Sequence, residues 1–370
     1  MAGMGRYSVA WVEDLYSDHE RYGRWCQVLG VDDWDGLAGE VAAREAEVGH
    51  DVAAFLDVVR ARTGIEGLGR GLTSSNIVDT AQAIEIRDAT GGLWSEADAA
   101  ASAVRGMPGI ARAARTHGQV AVADRLDRQA SVWAWRIDRA SVRVGVSASR
   151  CAVAHLGGPC GDYSTIGSDW EVAAVAARLE LKPTGPREHD QAVARDSLAT
   201  WARSVASLCT AAAHVATQIR LGARDGELRE PTGVDAYKGS SSMPHKRNPT
   251  RSERIVGLER VVRAMAGAVE ESVVWWDQRD ISHSSVERVV LPQVVGLTAY
   301  CLRELTSIVR ELEYDGGVIE SALDRVPDSH LSYWSAVDRG LGAEEAYREV
   351  QLGSSAQPVR PGLDVRPDLP

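Results

Sequence analysis

From Trp201 the apolar positions run Trp201, Val205, Leu208, Ala212, Val215, Ile219, in steps that alternate four and three. That spacing holds one stripe on a single helix face. Ile255, Leu258, Val262, Met265 and Val269 repeat the pattern, and Leu297, Tyr300, Leu305, Ile308 and Leu312 follow it more loosely. Strand-type alternation is scarce. Several long helices with near-heptad stripes predict an all-α chain built around a helical bundle. Asn248-Pro249 predicts a helix start, with Asn as N-cap and Pro at the first helical position.

Helix-breaking signals divide this pattern. They fall at Gly91-Gly92, at Gly157-Gly158-Pro159, at 182–186, at 230–239 and at Tyr314-Asp315-Gly316-Gly317. They suggest an N-terminal helical domain over 1–92, a long central bundle over 93–313 with a loop at 233–250, and a short C-terminal piece over 314–370. The stretch after Gly353 is rich in Pro, Gly and Ser and reads as disordered.

Composition narrows the class. At 370 residues the chain can bury a full core, and 44% hydrophobic with 25% charged residues is ordinary for a globular protein. A formal net charge of -11 argues against a general nucleic-acid binder, while leaving room for a local cationic pocket. No apolar run is long enough to span a bilayer, and the first residues lack the apolar core of a signal peptide. Cys26, Cys151, Cys160, Cys209 and Cys301 are scattered and odd in number, as expected of reduced thiols in a cytoplasmic protein. No Cys/His cluster has metal-ligand spacing.

Five segments can carry chemistry. Gly239-Ser240-Ser241-Ser242-Met243-Pro244-His245-Lys246-Arg247-Asn248-Pro249 is a poor helix and a poor strand. It reads either as a Ser/Pro-rich surface linker or as a mobile loop bearing a base (Ser240, Ser241), a cation (Lys246) and an amide (Asn248). Deprotonating a carbon beside a carboxylate needs such a base and a positive site for the extra charge on the carboxylate. In Arg115-Thr116-His117-Gly118-Gln119, His117 is either a surface residue or a general acid, since a histidine of pKa about 6.5 donates near neutral pH. Gly71-Leu72-Thr73-Ser74-Ser75-Asn76 offers either a helix cap or a compact turn for carboxylate oxygens. His50-Asp51 precedes an apolar helix, where capping is a fair reading. Between Trp276 and Arg288, Arg279, Ser284 and Arg288 make either a solvated loop or a phosphate clamp. Gln191 with Arg195-Asp196, and Glu253-Arg254, read on their own as helix-surface charge.

These segments together resemble the fumarase/aspartase superfamily, in the form found in adenylosuccinate lyases. The likeness spans about 6–351 and is densest at the five segments. It implies a three-part all-α lyase fold with a long central bundle, assembled as a homotetramer whose active sites form where three subunits meet. It implies anti β-elimination from an N-succinyl substrate, releasing fumarate and an amine. Ser240 would take the Cβ proton, and His117 would protonate the departing nitrogen. Lys246 would support the developing charge, and Glu253 the catalytic network. Thr73, Ser74, Thr116, Ser241 and Asn248 would hold carboxylates. His50, Asp51, Gln191 and Arg254 would line the rest of the pocket, and Arg6, Tyr7, Arg279, Ser284 and Arg288 would bind a phosphate. No cofactor or metal is needed for this chemistry, and the expected partners are the small molecule and other copies of the chain.

The chain departs from the family at two positions near that site, with Asn76 for the usual Asp and Gly69 for the usual His. It also lacks a stretch between Gly30 and Ala38, and little follows the familiar segment 340–347. These departures suggest a specialised paralogue. A fumarate-releasing lyase with a different succinylated amine, a carboxymuconate cycloisomerase-like enzyme and a non-catalytic assembly protein on a lyase scaffold stand as alternatives. His117 argues against the second, and intact Ser240, Lys246 and Asn248 against the third.

Overall fold

The computed structural model describes residues 7–166, 169–231 and 242–353. Ser240, Ser241, Arg6 and the tail after Gly353 therefore lie outside the described residues. Thirteen α-helices and three two-residue to seven-residue strand pairs are present among those described. None of the described helices is long and apolar enough to cross a membrane.

Five long helices make the bundle: α5 (Ser74–Arg105), α6 (Leu126–Cys151), α8 (Asp196–Arg224), α9 (Thr250–Glu271) and α10 (Ser282–Arg310). The stripe beginning at Trp201 lies on α8, and its six residues are all fully buried. On α9, Ile255, Val262 and Val269 are fully buried, with Leu258 and Met265 packed beside them. On α10, Leu297, Leu305 and Ile308 join the same core. The apolar stripes converge because a helix face of this width is stable only when covered by its neighbours. The Trp201 indole N–H also finds a buried partner, the Thr90 hydroxyl at 3.0 Å.

The break expected at Gly91-Gly92 does not occur, because α5 runs through both residues. Gly92 sits under the Trp11 ring, where a Cβ would come within 2.6 Å of the indole carbons. Close packing, not a turn, explains that glycine. Gly145 of α6 serves Trp94 of α5 in the same way, with a Cβ placed 2.1 Å from the ring.

The N-terminal helices α1 (Ala10–Leu15), α2 (Asp18–Leu29), α3 (Leu37–Val48) and α4 (Asp51–Thr63) precede the bundle. α2, α3 and α4 build a second core around Trp25, Phe55 and Leu37, against the first half of α5 and α7 (Asp169–Arg178). A parallel pair, β3 (Val153–Ala154) and β4 (Lys182–Pro183), edges this core. Beside it, His155 is fully buried, with Nε2 2.8 Å from the Asp190 carbonyl and Nδ1 2.9 Å from the Thr184 hydroxyl. A carbonyl only accepts, so the ring donates through Nε2. After the bundle come α11 (Gly316–Leu323), α12 (Ser329–Asp338) and α13 (Ala343–Gly353).

One face of α6 remains uncovered. Val132, Trp135, Val142 and Val146 are between 41% and 62% exposed and recur at helical spacing. Trp94 of α5 adds to the same surface at 48%. So broad an apolar stripe on a single chain marks an interaction surface.

Two measurements check this packing. Trp201→Ala is expected to destabilise the chain by about 3–5 kcal/mol, because it removes a fully buried ring and leaves Thr90 without its donor. Trp201→Phe is expected to cost less than half as much, and equal midpoints for the two variants in thermal melts would contradict this account. The second concerns pH. Burial holds the His155 pKa below its ordinary value. The unfolded chain therefore takes up a proton near pH 6.5 that the folded chain resists, so stability present above about pH 6.5 is lost as pH falls. Glu85 acts oppositely, because burial pushes its carboxyl up to about 7 and the fold gains stability as pH falls below that. The difference between wild type and His155→Gln isolates the histidine. From pH 7.5 to 5.5 the wild-type melting temperature should fall further than the variant's, and parallel curves would refute the assignment.

Candidate active site

The Gly71 to Asn76 turn opens α5. Thr73 is the N-cap, and the Asn76 side-chain oxygen accepts from the Thr73 backbone N–H at 2.9 Å and the Thr73 hydroxyl at 3.2 Å. It also accepts from the Gly158 N–H at 3.1 Å. The departure from Asp to Asn thus keeps a capping acceptor. It also places a buried amide N–H2 there that meets no protein partner among the described residues. Gly71 has φ +83°, and a Cβ there would lie 2.2 Å from the Thr165 carbonyl oxygen, so only glycine fits this approach. Ser74 follows in the first turn and is half-buried.

Three other elements meet this turn. Ser75 donates to the Gln191 side-chain oxygen at 3.5 Å, and Gln191 donates to the Pro159 carbonyl at 2.8 Å. Arg279, just before α10, donates to the same Gln191 oxygen at 3.1 Å, and its buried Nε is unpaired among the described residues. His50 caps α4, its Nδ1 accepting from the Ala53 N–H at 3.4 Å. Asp51 pairs with Arg288 of α10, and this guanidinium, with burial opposing it, holds the Asp51 carboxyl below the usual range. Ser284 stands one turn before Arg288. A cavity of about 230 Å³ opens beside these two, lined also by Arg21, Arg24, Trp25 and Gln82. Thr73, Ser74, His50, Asp51, Gln191, Arg279, Ser284 and Arg288 therefore share one end of the bundle.

His117 and Thr116 sit at the other end. They belong to a hairpin, β1 (Ala111–Thr116) and β2 (Gln119–Arg125), that the sequence pattern did not announce. Its two-residue turn puts His117 at φ 53° and Gly118 at φ 78°. Both central residues of such a tight hairpin turn are left-handed, which favours glycine at the second. His117 is exposed at the tip. Behind it, Arg112 and Arg115 clasp the buried Glu227 at 2.6 and 3.1 Å. These two contacts to one buried carboxylate anchor the hairpin to the end of α8, where the short pair β5 (Leu228–Arg229) and β6 (Glu313–Tyr314) begins.

The start of α9 lies at this end too. Helix α9 begins one residue later than expected, with Pro249 at the N-cap and Asn248 before it. Pro249 makes no side-chain cap. The buried Glu230 carboxylate accepts from the Arg251 and Ser252 backbone N–H groups at 2.8 and 2.7 Å, and from the Ser252 hydroxyl at 2.7 Å. A carboxylate there satisfies orphan donors and the positive helix end together. It lies 20 residues before Thr250, the first residue of α9, so no local motif reveals it. Lys246 and Glu253 are exposed, as expected of groups that await a partner or of simple surface charge. Arg254 donates to the Tyr300 hydroxyl at 2.9 Å, and the Tyr7 ring meets Tyr300 edge-on at 5.2 Å.

The two ends stay apart within one chain. Helix α5 has 32 residues, which at 1.5 Å each is about 48 Å. α8 starts near the beginning of α5, through Arg195 and Asp79, and finishes at the hairpin, through Asp225 and Arg115. His117, Thr116, Lys246, Asn248, Glu253, Arg254 and Tyr7 are thus separated from Thr73, Ser74, Arg279, Ser284 and Arg288 by most of that length.

Comparison with known proteins follows the same lines. A family model described as lyase matches residues 14–264. An adenylosuccinate lyase from Synechocystis sp. is 35% identical over 332 residues, which is 85% of this chain and 74% of that one. One from Archaeoglobus fulgidus is 30% identical, covering 82% and 70%. Among solved structures, a fumarate lyase from Mesorhizobium sp. BNC1 superposes with a TM-score of 0.78 at 19% identity, covering 94% of this chain and 86% of that one. A 3-carboxy-cis,cis-muconate lactonizing enzyme from Pseudomonas putida does so at 0.76 and 20%, with the same coverage. At such identities the two structures speak for the fold alone. The chain belongs to the lyase family of the fumarase/aspartase superfamily, in its adenylosuccinate lyase-like branch, and is a fumarate-releasing carbon–nitrogen lyase.

Proposed function

We propose that the chain cleaves adenylosuccinate, or a closely related succinylated nucleotide, by anti β-elimination. The observation that carries this reading is the hydrogen-bonded cluster of Ser75, Gln191 and Arg279, with Arg288 and Asp51 beside it. It sets a hydroxyl-rich helix start next to two guanidinium groups, a setting for a molecule with a carboxylate at one end and a phosphate at the other. Thr73 and Ser74 hold the succinyl carboxylate in this scheme, and Arg279, Ser284 and Arg288 hold the phosphate.

Chemistry then needs a base, an acid and a charge sink. Ser240 takes the Cβ proton, and Lys246 and Asn248 stabilise the dianionic carboxylate that forms. The C–N bond breaks as His117 gives its proton to the leaving nitrogen, and fumarate and the free amine part. Arg6 and Tyr7 complete the phosphate site, and Thr116 and Ser241 complete the carboxylate site. Glu253 and Arg254 support the loop that carries the base, and His50 and Asp51 close the nucleotide side.

These groups meet only if different copies supply the two ends. We therefore infer a homotetramer with shared sites, and the exposed stripe of Val132, Trp135, Val142 and Val146 offers the surface through which the bundles join. One observation favours a different succinylated amine. Gly69 has φ +74° and a Cβ there would lie 3.2 Å from Leu56 Cδ2, so the turn is built for glycine where the family carries histidine. A pocket without that imidazole suits an altered amine half.

Fumarate release from adenylosuccinate by the purified protein, read beside Ser240→Ala and His117→Ala, tests the reading. Activity in wild type, a loss of at least about a thousandfold in either variant and little change in substrate affinity are expected. Fumarate release undiminished in Ser240→Ala would remove the assigned base. Release only from other N-succinyl compounds would select the second reading. Light scattering at micromolar concentration should give four times the chain mass, and a monomer with full activity would dismiss the shared site.

A further inference from the structure

Residues 191–195 strap α5 twice, once to the segment just before α10 and once to α10 itself. Gln191 makes the front rung, between Ser75 and Arg279. Four residues on, Arg195 makes the rear rung. Its Nη2 and Nη1 donate to the two Asp79 oxygens at 2.8 and 3.1 Å, and its Nε to Glu287 at 2.6 Å. The three side chains are 2%, 3% and 6% exposed. Val193 N–H donates to Asp79 at 2.8 Å, Gln82 to Glu287 at 3.0 Å, and the Trp275 ring lies 5.9 Å from the guanidinium carbon. His283, buried against Trp275, faces this network, and His189, His155, Cys151 and Glu85 lie near enough to interact with it.

Buried ion networks are poor devices for stability, since apolar replacements of equal volume are often as stable. What the planar guanidinium supplies is direction, because its fork fixes both carboxylates relative to one another. Asp79 lies five residues into the helix from Ser74. Glu287 lies one turn past Ser284 and next to Arg288. α5 and α10 are joined again further along by Arg303 and Glu96, so their pairing does not rest on Arg195 alone.

We propose that Arg195 is a positioning residue that fixes the span between the carboxylate end and the phosphate end of the substrate, and so governs turnover without touching it. This rests on the function proposed above. A joined substrate requires both ends at one separation, whereas each product alone requires only one end.

The test uses Arg195→Lys in the full chain, since a compact ammonium keeps the charge but cannot fork to both carboxylates. Turnover of adenylosuccinate, thermal midpoint, and calorimetric affinities for AMP and for fumarate separately are measured. We expect kcat to fall about a hundredfold, as a misplacement near 1 Å would cause, with the native melting behaviour retained. Affinity for each isolated product should change by less than about threefold. Should Arg195→Lys fail to fold, Glu287→Gln keeps the Arg195–Asp79 pair and should show the same split at about a tenfold loss of kcat. Unchanged kcat, or equal losses in kcat and in both product affinities, would overturn the positioning role. Wild-type protein that releases no fumarate from any N-succinyl nucleotide would overturn the functional reading and this inference with it, whereas active wild type with an equally active variant would overturn the inference alone.

Discussion

The length of the bundle constrains everything else in this molecule. Helices of 22 to 32 residues are stiff rods, and each delivers chemistry only at its ends. The start of α5 and the start of α10 lie together, so the turn at Thr73 and the cations at Arg279 and Arg288 share one pole. The hairpin with His117 and the start of α9 lie at the opposite pole. Among the described residues no side chain bridges that distance, so in the proposed scheme each chain contributes two half-sites. The exposed apolar face of α6 is the complementary fact, because a rod of this kind buries its remaining stripe only against another rod.

Within the rods the packing leaves little freedom. α8 is buried on most of its circumference, with Trp201, Val205, Leu208, Val215 and Ile219 all inaccessible. Alanine and glycine recur where helices approach closely, as at Gly145 beneath Trp94. Close-packed interiors transmit displacement rather than absorbing it. The chemistry is accordingly left to the irregular segments at the poles, while buried charges such as Glu227, Glu230 and the Asp79–Arg195–Glu287 network tie those segments down. Glu230 and the Asp79–Arg195–Glu287 network are satisfied by guanidinium, hydroxyl or backbone donors, and Glu227 is ion-paired with Arg112 and Arg115.

Local sequence made some of this legible and concealed the rest. The three apolar stripes named the core faces of α8, α9 and α10, because a period near 3.6 is a direct record of burial. Gly91-Gly92 misled, because glycine serves close approach inside a helix as readily as it serves a turn. The hairpin around His117 was hidden by its short alanine-rich strands. Arg195 looked like surface charge from its neighbours in sequence, yet it is among the most buried polar groups, since both its partners lie about 90 or more residues away. Glu230 was missed for the same reason on a smaller scale.

The sequence by itself determined the helical class, the stripes that make the core, and the family, whose short motifs keep their residue types and order. Periodicity and motif are local properties, and they survive being read one residue after another. Tertiary structure alone decided which motifs share a pole, which charges are buried, and that His117 and the Thr73 turn lie at opposite poles of one chain. Those outcomes depend on the direction in which each rod runs and on contacts between residues far apart along the chain, and no local pattern encodes either.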